Sequence, residues 1–167
     1  MIGKQRKATG TEIRLRMAKA ADRARLIPLI NSAFSVETFI EGPRTDDKRL
    51  AAVMKKGSIL VAEDKGARLA AAVYVELRGA RGYLGMLAVD PKLQGNGLGR
   101  KMTLAAEEWF RRQGCKGVEL TVLSLRKELP LYYRKLGYTE TGRQEFHPDQ
   151  PLRAGVKCHC IVMSKRL

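Results

Sequence analysis

The chain is poor in acids, cysteines and aromatics and has no long apolar run, and each shortage removes a class of function. Seventeen Asp and Glu stand against 32 Lys and Arg, a formal net charge of +15 at pH 7. That excess favours anionic partners: nucleic acid, phosphorylated cofactors or acidic proteins. Three cysteines, Cys115, Cys158 and Cys160, are too few and too odd for a disulfide framework. They predict a reducing, cytoplasmic setting. No apolar run approaches the roughly 20 residues of a membrane span, so no membrane partner is expected. The opening "MIGKQRKATGTE" is polar and basic with no hydrophobic segment behind it, unlike a secretory signal. Aromatics make up 6% of the chain and no recognition motif appears, which argues against a nucleic-acid or ribosome-binding module. Repeats and low-complexity linkers are missing too. One domain over 12–167 is expected, preceded by a basic flexible tail over 1–11.

What is present is a succession of short periodic segments. "EIRLRMA" alternates at period two and predicts a strand. Asp22 is placed to cap a helix burying Leu26, Leu29, Ile30 and Phe34, with Pro28 either starting or kinking it. Thr45 or Asp46 caps a second helix with Leu50, Val53 and Met54 on one face, stopped by Gly57. "SILVAED" and "RLAAAVYVELRG" read as a hairpin, and "RGYLGMLAVD" as a further strand. Leu98, Met102, Ala105 and Trp109 share a helical face ended by Gly114. "GVELTVL" is a buried strand, Leu129, Tyr132, Tyr133 and Leu136 form a short helical stripe, and "KCHCIVMSKRL" closes the chain as a strand. The order β-α-α-β-β-β-loop-α-β-α-β-β is that of one mixed α/β domain.

The stretch "VDPKLQGNGLGRK" carries Gly95, Gly97 and Gly99 between a strand and a helix. A P-loop requires Lys followed by Ser or Thr, but Lys101 is followed by Met102. A dinucleotide fingerprint requires G-x-G-x-x-G, but the sixth position is Arg100 counted from Gly95 and Met102 counted from Gly97. What remains is Q-x-x-G-x-G, from Gln94, Gly97 and Gly99. Glycine lets the backbone approach a ligand without a Cβ, and free amides at a helix start attract phosphate. Arg100 and Lys101 add charge.

"LGMLAVDPKLQGNGLGRKM", followed about 30 residues later by "LYYRKLGY", resembles the GCN5-related N-acetyltransferase (GNAT) superfamily over about 12–167. The resemblance implies a central, mostly antiparallel sheet with splayed strands flanked by helices. It also implies acetyl-CoA-dependent transfer of an acetyl group to a primary amine acceptor. By position, the amides of Gln94, Gly95, Asn96, Gly97, Leu98, Gly99 and Arg100 hold the CoA pyrophosphate. Leu87, Ala88 and Val89 pair with the pantetheine arm, with an amide near Leu87 polarising the thioester carbonyl. Tyr133 aligns with the residue that protonates the departing thiolate. The alternative for Tyr133 is a core aromatic beside Leu129 and Leu136, and its neighbour Tyr132 is the less suited acid.

The general base is not evident. Where some relatives carry a glutamate, this chain has Tyr83. Glu76, Glu37 and Glu41 are the remaining carboxylates, and a water chain is the other option. An asparagine frequent at the start of the short helix is replaced by the Ser124–Arg126 segment. Arg44 could hold an acceptor carboxylate or phosphate, and His147 could line the acceptor cleft. No metal is expected: Cys158 and Cys160 point to one face of a strand and His159 to the other. Cys115 reads as a small buried residue. A non-catalytic acyl-CoA sensor is the competing reading of the same loop. A homodimer formed through the final strand is a further expectation.

Overall fold

A computed structural model describes residues 12–167; the basic segment expected over 1–11 lies outside the described residues. The elements are β1 (Arg14–Met17), α1 (Arg23–Ala33), α2 (Asp47–Lys56), β2 (Ser58–Glu63), β3 (Leu69–Arg78), β4 (Arg81–Val89), α3 (Leu98–Arg112), β5 (Gly117–Leu123), α4 (Glu128–Lys135), β6 (Thr139–Glu145) and β7 (His159–Arg166). They follow the order expected from the sequence. The seven strands form one sheet in the order β1-β2-β3-β4-β5-β7-β6. Every pairing is antiparallel except β4 with β5.

Helices cover both faces, which is why β3 reads as an unbroken apolar run. Its first seven residues, Leu69 to Val75, are all buried. Their side chains alternate between two cores. Ala71, Val73 and Val75 face α3 and α4 with Met102, Phe110 and Tyr138. Ala72 and Tyr74 face α1 and α2 with Leu26, Ile30 and Leu50. The tightest approach is at Gly82 on β4, where a Cβ would lie 2.3 Å from the Phe110 ring.

Four local expectations change. Asp22 stands before α1 but does not cap it. Its carboxylate accepts instead from Arg16 Nη1 and Nη2 and from the Lys19 amide. Helix α1 runs through Pro28 rather than starting there. The deeply buried face of α3 is Met102, Thr103, Ala106, Glu107 and Phe110; Leu98, Ala105 and Trp109 flank it, half-buried. The final strand β7 lies between β5 and β6, so both its edges are already hydrogen-bonded and it offers none to a second copy. Asp46 does cap α2, accepting from the Arg49 amide at 2.8 Å. No helix among the described residues is long and apolar enough to cross a membrane.

Candidate active site

The site begins where two strands part. Strand β4 pairs with β5 only over Arg81–Leu84 against Gly117–Leu120. Beyond that, β4 stays with β3 as far as Val89, and β5 stays with β7 as far as Leu123. The edges of Gly85–Val89 and Thr121–Leu123 that face each other are therefore unpaired. A bulge sharpens the divergence: Tyr74 opposes Gly85, yet Ala72 opposes Ala88. Met86 adopts φ 44°, an uncommon left-handed conformation for a residue with a side chain. The wedge opens into a cleft of about 890 Å³ whose walls include Leu84–Leu87, Val89 and Leu120–Leu123.

At one end the cleft meets the glycine loop. Asp90 fixes its start by accepting from the Lys92 amide at 2.9 Å. Gln94 Nε2 donates to the Val89 carbonyl at 3.2 Å. Gly95 and Gly97 have φ of 81° and 76°, with no atom within 4 Å of where a Cβ would stand. Gly97 precedes the first turn of α3, and no side chain caps that turn. Its first amides are left unsatisfied at the positive end of the helix dipole, beside backbone open to solvent. This geometry fits a pyrophosphate, such as that of CoA. Of the residues assigned to CoA from the sequence, Leu87, Val89, Gln94, Gly95, Gly97, Leu98, Gly99 and Arg100 line the cleft. Ala88 is fully buried behind the wall. The Asn96 side chain turns back to the Leu93 carbonyl at 3.2 Å. Gly99 also matters for packing. A Cβ there would stand 3.1 Å from the Tyr132 hydroxyl, so its absence admits α4 against the start of α3.

That docking sets Tyr133 into the opposite wall. Its ring stands edge-on to Tyr132 at 5.0 Å and Tyr138 at 5.6 Å. The Tyr132 hydroxyl is buried without a hydrogen-bond partner among the described residues. Tyr133 is itself buried and is part of the cleft wall. Burial pushes its pKa well above the ordinary phenol value.

The other end of the cleft holds the carboxylate candidates. Glu76 accepts from Tyr74 Oη at 2.8 Å and from Arg78 Nε and Nη2 at 2.9 Å and 3.0 Å. The Arg78 bonds hold its pKa below the usual carboxylate range, which makes it a poor proton acceptor. Glu37 is buried and ion-paired to Arg126 at 3.0 Å and Arg44 at 3.4 Å. Glu41 is exposed and is not part of the cleft wall. Tyr83 lies under Arg78, 3.7 Å from ring centroid to guanidinium, and its hydroxyl meets Thr121 Oγ1 at 3.1 Å. His147 and Cys160 line this end, and burial raises the Cys160 thiol pKa. Ser124 is instead hydrogen-bonded to the Cys158 thiol and the His159 amide. No group of three His, Cys, Asp or Glu side chains among the described residues is arranged to hold a metal.

Sequence reasoning missed Thr121, Phe146 and the depth of the Glu37–Arg126 pair. The signal for Thr121 was the period-two alternation of "GVELTVL". Nothing local announced that Glu37 and Arg126, 89 positions apart, would meet.

The acetyltransferase (GNAT) family model matches residues 24–138. No curated protein matches the chain in sequence. Among solved structures, the ribosomal-protein-S18-alanine N-acetyltransferase of Escherichia coli superposes with a TM-score of 0.77 at 18% identity, over 93% of this chain and 94% of that one. The protein yncA from Salmonella typhimurium, solved with its cofactor acetyl-CoA, gives 0.71 at 22% identity over 93% and 94%. A GCN5-related N-acetyltransferase from Kribbella flavida gives 0.72 at 18% over 93% and 98%. At these identities the likeness is one of fold.

Proposed function

The chain belongs to the acetyltransferase (GNAT) family, enzymes of acetyl-CoA-dependent acetyltransfer, and from that premise we propose that it acetylates a primary amine directly, with no acetyl-enzyme intermediate. One observation carries this reading. The β4–β5 wedge and the uncapped start of α3 line one cleft together with Tyr133. A thioester donor supplies the activated acyl group.

The chain supplies the rest. The amides of Gln94 to Arg100 hold the pyrophosphate, and the unpaired edge of Leu87 to Val89 takes the pantetheine amides as an added strand. An amide near Leu87 stabilises charge developing on the carbonyl oxygen. Tyr133 donates its proton to the departing sulfur; burial raises its pKa, so the phenol is protonated at neutral pH. Glu76 and Glu37 are both committed to arginines. A water held in the wedge, or the acceptor arriving neutral, meets the need for a deprotonated amine. The three free cysteines suit the cytoplasm as its location.

Calorimetry with acetyl-CoA, combined with thiol-release assays across an amine panel, tests the proposal. Binding with release that depends on one class of amine supports it. Binding with no release from any amine points to an acyl-CoA sensor, and no binding removes the loop assignment.

A further inference from the structure

Three arginines reach the acceptor end of the cleft, and they are not equivalent. Arg78 commits Nε and Nη2 to Glu76. Arg126 commits Nε to Glu128 at 2.6 Å and Nη1 to Glu37 at 3.0 Å. Arg44 commits only Nη1, to Glu37 at a long 3.4 Å. Its Nε and Nη2 have no acceptor among the described residues. These two donors form the edge of a guanidinium that grips a carboxylate through two parallel bonds.

Arg44 is nonetheless held. Its guanidinium lies 4.7 Å over the Phe34 ring, its side chain is 27% exposed, and the preceding carbonyl, of Pro43, accepts from Gln150 Nε2. Glu37 is shared between Arg44 and Arg126, and Arg126 pairs with Glu128 as well, so the two arginines and two glutamates balance in charge. What sets Arg44 apart is its single, long contact.

Two connections border the Arg44 end of the cleft. The connection between α1 and α2 supplies Glu37 and Arg44 to the cleft, and the connection between β6 and β7 supplies Phe146 and His147. The two connections are bound to each other: the Glu41 amide to the Pro151 carbonyl and the Arg153 amide to the Phe39 carbonyl, both at 3.0 Å. Ile40 and Leu152 form a β-bridge between them. A polypeptide could not pass between the connections without parting these bonds.

We propose that the acceptor is a small amine bearing a carboxylate, an amino acid or a close relative of one, and that Arg44 binds its carboxylate. This rests on the acetyltransferase reading above. An approaching carboxylate finds two donors with no other acceptor among the described residues, on a half-buried guanidinium, where such a pair gains more than in open solvent.

The test compares matched acceptors: each L-amino acid, its carboxamide and its decarboxylated amine, with thiol release from acetyl-CoA as the readout. The expected best acceptor is an amino acid, with kcat/KM roughly 10- to 100-fold above its carboxamide, the range of a charge-assisted pair. Arg44→Gln should remove that margin, lowering kcat/KM for the amino acid far more than for its carboxamide. Arg44→Lys, which keeps the charge and loses the fork, should restore part of it and serves if the glutamine variant fails to fold. Equal rates for acid and amide, or equal losses for both in the variants, would overturn the assignment. So would a best acceptor without a carboxylate, such as a polyamine or a peptide, although the acetyltransferase reading would then stand. Absence of acetyl-CoA binding by the unaltered protein would instead remove the acetyltransferase reading, and with it this one.

Discussion

Glu107 and Lys165 form an ion pair at the heart of the α3 side of the sheet. The Lys165 ammonium lies 2.8 Å and 3.0 Å from the two carboxylate oxygens, and Tyr138 Oη donates to one of them at 3.0 Å. The Glu107 side chain is 1% exposed and that of Lys165 20%. Desolvation offsets most of what such a pair gains, but removing one partner strands the other. Glu107→Ala is therefore expected to cost about 3–5 kcal/mol, read as a shift in urea midpoint at constant slope. Lys165→Met, which keeps the apolar stem, should cost less. A loss under about 1 kcal/mol for Glu107→Ala, the level of an exposed pair, would mean that water already reaches the carboxylate.

A second network sets the behaviour in acid. Asp22 accepts from Arg16, from Arg25 and from the Lys19 amide, and Glu63 accepts from Arg16 and Arg25. The Arg16 bonds, first among the causes, hold both carboxylates below their usual range. A carboxylate with a depressed folded-state pKa stabilises fully above its unfolded value, about 4, and loses that contribution as pH falls toward the folded one. Stability should therefore fall steeply below pH ~4. In Asp22→Asn that slope should flatten, at the cost of lower stability at neutral pH. An unchanged slope would place the acid lability in other carboxylates.

The two networks also mark where the sequence was legible. Helices and strands followed their periods, because a strand covered on both faces and a helix with one apolar stripe write different patterns. The glycine loop was legible because Gln94, Gly97 and Gly99 sit together between a strand and a helix. Glu107 was not: a glutamate among Glu108, Arg111 and Arg112 has the local appearance of a solvated face. Its burial is decided by Tyr138 and Lys165, which arrive from other elements. Asp22 occupied a capping position, yet its carboxylate went to Arg16, a stronger charged donor than the helix amides. The same limit applied at the acceptor end, where Glu37 and Arg126 meet only through the fold.

Gly97 tests the cradle. Its φ of 76° is one that β-branched residues rarely adopt, and nothing within 4 Å crowds the position of a Cβ. Gly97→Val should therefore act through strain and through a side chain standing over the free amides of α3, rather than through packing in the core. Acetyl-CoA affinity should fall by at least about 10-fold, the level of one or two lost amide contacts to the pyrophosphate, while roughly 1–2 kcal/mol of left-handed strain lowers Tm by only a few degrees. Calorimetry and thermal melts on the same sample separate the two effects. Undiminished affinity would mean that the phosphates are held elsewhere.

Tyr133 has a signature that a core aromatic would not show. It is part of the cleft wall, and burial raises its pKa, so the phenol is protonated at neutral pH. Tyr133→Phe keeps the ring contacts with Tyr132 and Tyr138, so stability and acetyl-CoA affinity should be nearly unchanged. The kcat should drop by roughly 10²- to 10⁴-fold, the range of a positioned proton donor. The pH profile sharpens the distinction. An acid whose pKa is raised keeps its proton as pH climbs, so activity that depends on Tyr133 should show no alkaline loss below pH ~10, the ordinary phenol value. The acid side should instead rise with pH as the acceptor amine loses its proton. If kcat survives the substitution, the thiolate is protonated by another group. If an alkaline limb appears well below pH ~10 in the unaltered enzyme and disappears in the phenylalanine variant, Tyr133 titrates below an ordinary phenol, and burial does not hold its proton in place.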